Sequence, residues 1–195
     1  TLYDPAKEYG TPDDVQNIPH PIIGYMGTIN STRLDGELLY HIISQRPDYS
    51  FVFTGPEDDI FRRNRIHSLK NAYFTGQKKV DELPAYIAAY DVCINPQMVN
   101  EITDGNYPLK IDEYLAMGKP TVATSTHTMR NIFTGHTHLA INPEEWLAAI
   151  DRAVTEADDK ELAKQRIAFA ETHSWGHSVK KIYEIIDSFL KKKTT

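Results

Sequence analysis

From residue 22 to residue 141 the chain alternates six short apolar runs with amphipathic stretches, and this alternation narrows the fold more than any other feature. The runs are residues 22–27, 51–55, 72–76, 92–96, 121–125 and 138–141. Short apolar runs bounded by glycine or proline read as buried strands. Phe51-Val52-Phe53 and Val92-Cys93-Ile94 are apolar without a break, as a sheet covered on both faces requires. Leu34, Leu38, Leu39, Ile42 and Ile43 form one helical stripe, which Pro47 stops. Residues 59–69 predict a weaker helix. Leu83, Tyr86, Ile87 and Tyr90 mark another, with Pro84 in its first turn, and residues 109–117 mark a further one. Strands alternating with helices need right-handed crossovers and a mostly parallel sheet. The expected fold class is therefore α/β: a Rossmann-like doubly wound parallel sheet of about six strands with a helical C-terminal tail. The tail is read from residues 144–157, then 160–172, then a last stripe of Val179, Ile182, Tyr183, Ile186, Phe189 and Leu190. Residues 1–20, punctuated by Pro5, Gly10, Pro12 and Pro19, read as a linker or arm.

Composition excludes several function classes. With 21 Lys and Arg against 27 Asp and Glu, the net charge is −6, so a global basic field for nucleic acid is absent. Lys191, Lys192 and Lys193 read as a solvated helix end. The single cysteine, Cys93, cannot form an internal disulfide and lies in a strand pattern, which fits an inert core thiol in a reducing compartment. No apolar run approaches the roughly 20 residues of a membrane span, and no signal-peptide pattern is visible. The expected location is cytoplasmic, with the inner face of a membrane as the alternative.

The most specific stretch runs from Pro108 to Pro120. Pro108 suits a helix start and Gly118 a left-handed end. Lys110 and Glu113 sit three residues apart near the helix N-terminus, an end whose free N–H groups and partial positive charge favour a phosphate. A carboxylate one turn further in suits the two hydroxyls of a ribose. The same spacing also suits a plain surface ion pair. Loops at the carboxyl ends of the first four strands outline a cleft: Gly27 to Arg33, Thr54 to Glu57, Thr75 to Lys78, and Asn95 onward through a polar loop to Tyr107. Each alone reads as a turn rather than as a site. His127, His136 and His138 lack metal-ligand spacing, no Asp-x-Asp pair appears, and no G-x-S-x-G elbow is present.

Taken in order, the pieces resemble the C-terminal, donor-binding domain of GT-B glycosyltransferases, specifically the retaining group of glycosyltransferase family 4 and its relatives. Ile22-Ile23-Gly24-Tyr25-Met26-Gly27 is similar to that domain's first strand and glycine loop, and Phe51-Val52-Phe53-Thr54-Gly55-Pro56 to its second. Tyr73-Phe74-Thr75-Gly76 with Leu83-Pro84-Ala85-Tyr86-Ile87 resembles the next strand and helix. Tyr90-Asp91-Val92-Cys93-Ile94-Asn95-Pro96 resembles the strand before the site loop, and Ser174-Trp175 the family's Ser-Trp near its end. Pro108-Leu109-Lys110, Glu113-Tyr114-Leu115-Ala116 and Gly118-Lys119-Pro120 carry the resemblance furthest.

That resemblance implies a nucleotide-sugar donor as ligand and transfer of its sugar, with retention, to an acceptor held by an N-terminal Rossmann-like domain outside this sequence. It implies a domain plan of 1–20 as linker or arm, 21–173 as nucleotide-sugar-binding domain and 174–195 as C-terminal helix. The fragment alone would then be inactive. Glu113 would take the ribose hydroxyls. Lys110, with the backbone at Pro108 and Leu109, would face the diphosphate. Gly27 and Thr28 would open the first loop to the diphosphate or sugar, and Gly55, Pro56, Gln77 and Lys78 would frame the base. Relatives carry a second glutamate eight residues before the position of Glu113; here that position is Gly105, which makes the adjacent Asp104 the candidate for the donor sugar. Relatives also carry an arginine after the first glycine and a lysine at the next helix start. Here Thr28 and Asp35 stand there, so Lys110 is the main cation and Arg33 the candidate for a second diphosphate contact. Neither a metal nor another cofactor is implied. A non-catalytic scaffold on the same fold and half of a sugar-nucleotide epimerase are the alternatives.

Overall fold

The computed structural model of the chain describes residues 2–193, without side chains for Trp175, Leu190 and the three terminal lysines among others of the last helix. The expectations resting on those side chains lie outside the described residues. Six parallel strands form one sheet in the order β3-β2-β1-β4-β5-β6: β1 (Ile22–Met26), β2 (Ser50–Thr54), β3 (Ala72–Gly76), β4 (Val92–Asn95), β5 (Thr121–Thr124) and β6 (His138–Ala140). The chain starts at the centre, winds out to one edge through β2 and β3, then returns to β4 beside β1 and winds out the other way. That is the doubly wound α/β fold, and it has a switch point between β1 and β4.

Helices α1 (Gly36–Gln45), α2 (Leu83–Ala89), α3 (Leu109–Ala116), α4 (Pro143–Thr155), α5 (Lys160–Thr172) and α6 (Trp175–Lys193) complete the fold. Their ends carry local signals. Asp35 accepts from the Leu38 N–H at 2.9 Å and starts α1. Asn142 accepts from Glu145 N at 2.9 Å while Glu145 reaches back to Ile141 N at 2.8 Å, a reciprocal pair that starts α4. Gly118 ends α3 at φ +72°, and the N–H of Lys119 bonds the Tyr114 carbonyl at 3.0 Å.

Because strand side chains alternate, each central strand feeds two cores. On β2, Phe51 and Phe53 join Leu39, Ile42, Ile43, Trp146 and Ile150. Val52, between them, points the other way, to Tyr86, Tyr90, Ile111, Tyr114 and Leu115. Cys93 lies in that second core, where burial pushes its thiol well up. Gly24 has its own reason: the buried Tyr90 ring occupies the space of its missing side chain, with Cδ2 only 2.1 Å from where a Cβ would stand. The ring is pinned, since its hydroxyl bonds Thr54 Oγ1 at 2.6 Å. Gly24→Ala is expected to cost about 2 kcal/mol and to lower the midpoint of thermal unfolding by about 6 °C, read by circular dichroism.

Two features depart from the sequence reading. Residues 59–69 do not form the expected helix. They make two 3₁₀ turns, Phe61–Arg63 and Arg65–Ser68, broken at Asn64, whose backbone is extended and whose side chain accepts from Ile66 N at 3.0 Å. Short polar side chains that bond their own backbone compete with a continuing helix, and here they win. A π turn at Met129–Phe133, not expected from the pattern, follows β5. Residues 1–20 pack on the domain where they are described: Val15 and Ile18 are buried in the second core. Asp14 there accepts from Lys78 Nζ at 2.6 Å and from the Tyr86 hydroxyl at 2.7 Å.

Candidate functional site

A cleft of about 510 Å³ opens where β1 and β4 end side by side. In an open α/β sheet that switch point is where a ligand fits. Tyr25, Gly27, Thr28, Asn30 and Arg33 line it from β1 and its loop; Gln97, Asn106, Tyr107, Pro108, Leu109 and Lys110 line it from the loop after β4 and from α3.

The walls are built by short-range bonds. Gly27 sits at φ +133°, and its N–H bonds the Thr54 carbonyl at 2.9 Å. Met98 N bonds the Arg33 carbonyl at 2.8 Å and Asp35 N bonds Pro96 O at 3.1 Å, so the loops after β1 and β4 are stitched together. The second half of α3 is fixed to β1, because Met26 N donates to the Tyr114 hydroxyl at 2.8 Å. The approach to α3 is fixed as well: the Tyr107 hydroxyl donates to Asp112 at 2.6 Å, and His173 Nδ1 lies 2.9 Å from the other Asp112 oxygen.

Lys110 joins Arg33 as a cation of the cleft. Its Nζ donates to the Tyr25 hydroxyl at 2.7 Å and stands 4.1 Å from the centre of that ring. Burial lowers its pKa to about 7, with Glu113 opposing that shift and the positive charge of Arg33 adding to it. Arg33 itself forms no ion pair among the described residues. Glu113 lies on the same helix, half-buried, with its carboxyl pKa raised mainly by burial; the Tyr3 hydroxyl and Lys110 pull it back. Glu113 does not line the cleft; the Tyr3 hydroxyl from the N-terminal stretch is set against it.

The structure thus gathers Gly27, Thr28, Arg33, Pro108, Leu109 and Lys110 around one cleft, with Glu113 beside it. The other candidates stand apart. Gly55 and Pro56 support the first loop from behind: Ile29 N bonds Pro56 O at 2.9 Å, and a Cβ at Gly55 would lie 2.0 Å from Gly27 O. Lys78 is held by Asp14 and lines a separate depression with residues of the N-terminal stretch. Gln77, beside it, lines neither. Asp104 accepts from His127 N at 2.8 Å and ties the site loop to the segment after β5.

Asn30, Gln97, Asn106 and Tyr107 line the cleft from the loops expected to outline it, though none was singled out as a site residue, and Tyr25 of β1 lines it without having been expected there. Gln97 had a signal, as it follows the apolar run of the central strand β4, the position where switch-point residues fall. The side-chain carbonyl oxygens of Asn95 and Gln97 are buried without a hydrogen-bond partner, and such acceptors are rare in native interiors.

The sequence matches the family profile of the "Glycosyl transferases group 1" over residues 20–156, and the chain belongs to that family. It is 28% identical over 160 residues to TuaH of Bacillus subtilis (strain 168), named as a glycosyltransferase of teichuronic acid biosynthesis; the match covers 79% of this chain and 40% of TuaH. Among solved structures it is similar to HepE of Anabaena in complex with UDP (TM-score 0.72, 16% identity, 96% of this chain and 54% of HepE). It is also similar to the C-terminal domain of the group 1 glycosyl transferase LpcC of Francisella tularensis (TM-score 0.64, 18% identity, 87% of this chain and 96% of that domain). At these identities the structural likeness shows the fold. The chain spans about half the length of the full-length relatives it matches. Among the described residues, no helix is long and apolar enough to cross a membrane.

Proposed function

We propose that this chain is the donor-binding half of a retaining glycosyltransferase and that the β1–β4 cleft holds a nucleoside diphosphate sugar. One observation carries the reading: a half-buried lysine with no carboxylate bonded to its ammonium among the described residues faces a cleft at the switch point, beside a glycine loop and one helical turn from a half-buried carboxylate. A buried cation without a bonded anion is costly unless a ligand supplies the charge. A diphosphate does so, and the start of α3 adds its partial positive charge.

In this reading Lys110 and Arg33 hold the diphosphate and stabilise the charge that grows on it as the glycosyl bond breaks. Glu113 takes the ribose hydroxyls as charge-assisted acceptors. For that, the Tyr3 hydroxyl must share or yield the carboxylate. No metal is part of the proposal. The acceptor site belongs to a further domain of a longer protein, a reading supported by the length of the relatives.

UDP is the first probe, because HepE is described in complex with it; GDP and ADP complete the panel. Calorimetric titration of the folded chain at pH 6.5 is expected to give one site for at least one of the three, and Lys110→Met is expected to weaken it about thirtyfold. Absence of heat and of any thermal shift with all three would overturn the reading.

A further inference from the structure

We propose that Tyr25 is a positioning residue of the donor site: its buried hydroxyl ties Lys110 Nζ to the backbone of the first glycine loop, and so holds the cation where a diphosphate would lie. The inference rests on the donor-site reading above and assigns how that site is held. Tyr25 is 2% exposed and sits on β1, two residues before Gly27.

The direction of both bonds is forced. An ammonium carries donors and no acceptor, so Lys110 donates to the Tyr25 oxygen at 2.7 Å. The single phenolic proton is then free for the Thr28 carbonyl, 3.0 Å away. A chain of two bonds therefore runs from the ammonium through the phenol to the loop. Burial pushes the phenol pKa well up, so Tyr25 keeps its proton and keeps donating to Thr28. The ring adds a second hold, since Nζ stands 4.1 Å from its centroid, within cation–π range. Gly27 completes the seat. A Cβ there would lie 2.8 Å from Nζ, so a side chain would push the ammonium off the phenol.

The arrangement has a pH consequence. The charged groups facing Lys110 are Glu113 on its own helix, which favours the ammonium, and Arg33 from the β1 loop, which opposes it. With burial dominant, Lys110 in the free protein loses its proton around pH 7. A diphosphate binds the protonated form, so above that pH binding must take up a proton. Affinity then falls as pH rises, by up to tenfold per unit. The Tyr25 oxygen, as an acceptor, favours the ammonium. Removing it lowers the lysine pKa further and brings the fall to a lower pH.

The test is UDP titration from pH 5.5 to 8.5 with the wild-type chain, Tyr25→Phe and Lys110→Met. Tyr25→Phe keeps the ring and deletes the two bonds. Its alkaline fall is expected to move down by about one pH unit, giving affinity about tenfold weaker than wild type at pH 7.5 and within about threefold at pH 5.5. Lys110→Met is expected to lack that lysine-linked fall. The titration of UDP itself is common to all three and cancels. A Tyr25→Phe profile parallel to wild type, whether superimposed or uniformly weaker, would overturn the positioning role. Failure of the wild type to bind at any pH would instead overturn the donor-site reading. Should Tyr25→Phe not fold, NMR titration of the lysine side chains in the wild type decides. A lysine that titrates near pH 7 and shows contacts to the Tyr25 ring is expected, and none titrating below pH 9 would sink the proposal.

Discussion

Glu113→Ala is expected to weaken UDP binding about a hundredfold, roughly 3 kcal/mol, while leaving the melting temperature unchanged or raised. The binding loss follows from two charge-assisted bonds to the ribose, each worth about 1.5–3 kcal/mol, partly replaced by water. The stability side follows from linkage. Burial is the largest influence on Glu113 and raises its carboxyl pKa above the value in the unfolded chain. A raised acid is held in the native state at a cost whenever it is ionised, so at neutral pH its removal relieves that cost. The same sign sets the acid limb of wild-type binding: affinity falls as pH drops through the raised Glu113 value, which lies above the ordinary carboxylate range. Removing Glu113 also takes away the charge that helps Lys110 keep its proton, so the comparison belongs at pH 6.5. A dideoxyribose analogue of UDP separates the causes. Wild type is expected to lose most of its affinity for the analogue, and Glu113→Ala little more. A variant that binds UDP within threefold of wild type would remove Glu113 from the ribose site.

Much of the architecture followed from periodicity, and the physical reason is the burial of both sheet faces. Runs such as Phe51-Val52-Phe53 serve two cores at once, so they are apolar throughout and stand out from the helical stripes between them. The Pro108 to Pro120 stretch was readable because its ends are set by local chemistry, and Gly118 takes the positive φ expected of it. Residues 59–69 misled because competition between a helix and side-chain caps is decided locally, by Asp58 and Asn64, and not by apolar spacing. The surroundings of Lys78 were not readable. It sits after a strand at the expected edge, and its partner Asp14 is 64 residues away in sequence. Tyr25 escaped notice for a related reason. A strand tyrosine reads as core, and only the folded chain brings Lys110 onto its hydroxyl from 85 residues away.

Gly55→Ala is expected to be the most damaging single change to the fold and the cleft together, costing about 4 kcal/mol and lowering the melting temperature by about 10 °C or more. Two independent costs add. Gly55 sits at φ +149°, a backbone conformation that side chains disfavour. Its added Cβ would also lie 2.0 Å from the Gly27 carbonyl oxygen and 2.7 Å from the carbonyl carbon. Those are backbone atoms, so no rotamer change relieves the clash; one of the two loops must move. The bonds that hold them together are the Gly27 N–H to Thr54 O and the Gly55 N–H to Gly76 O, both 2.9 Å. Moving Gly27 carries away the seat of the Lys110 ammonium, so UDP affinity is expected to drop along with stability, although Gly55 does not line the cleft. Two neighbouring substitutions calibrate the effect. Gly76 has positive φ, +71°, but open space around it, so Gly76→Ala is expected to cost about 1 kcal/mol from backbone strain alone. Gly105 has open space and no such φ, so Gly105→Ala is expected to fall within about 0.5 kcal/mol of wild type. Thermal melts of the three variants read the order directly. If Gly55→Ala melts no lower than Gly76→Ala, the close packing of the two loops is not what holds the first one in place.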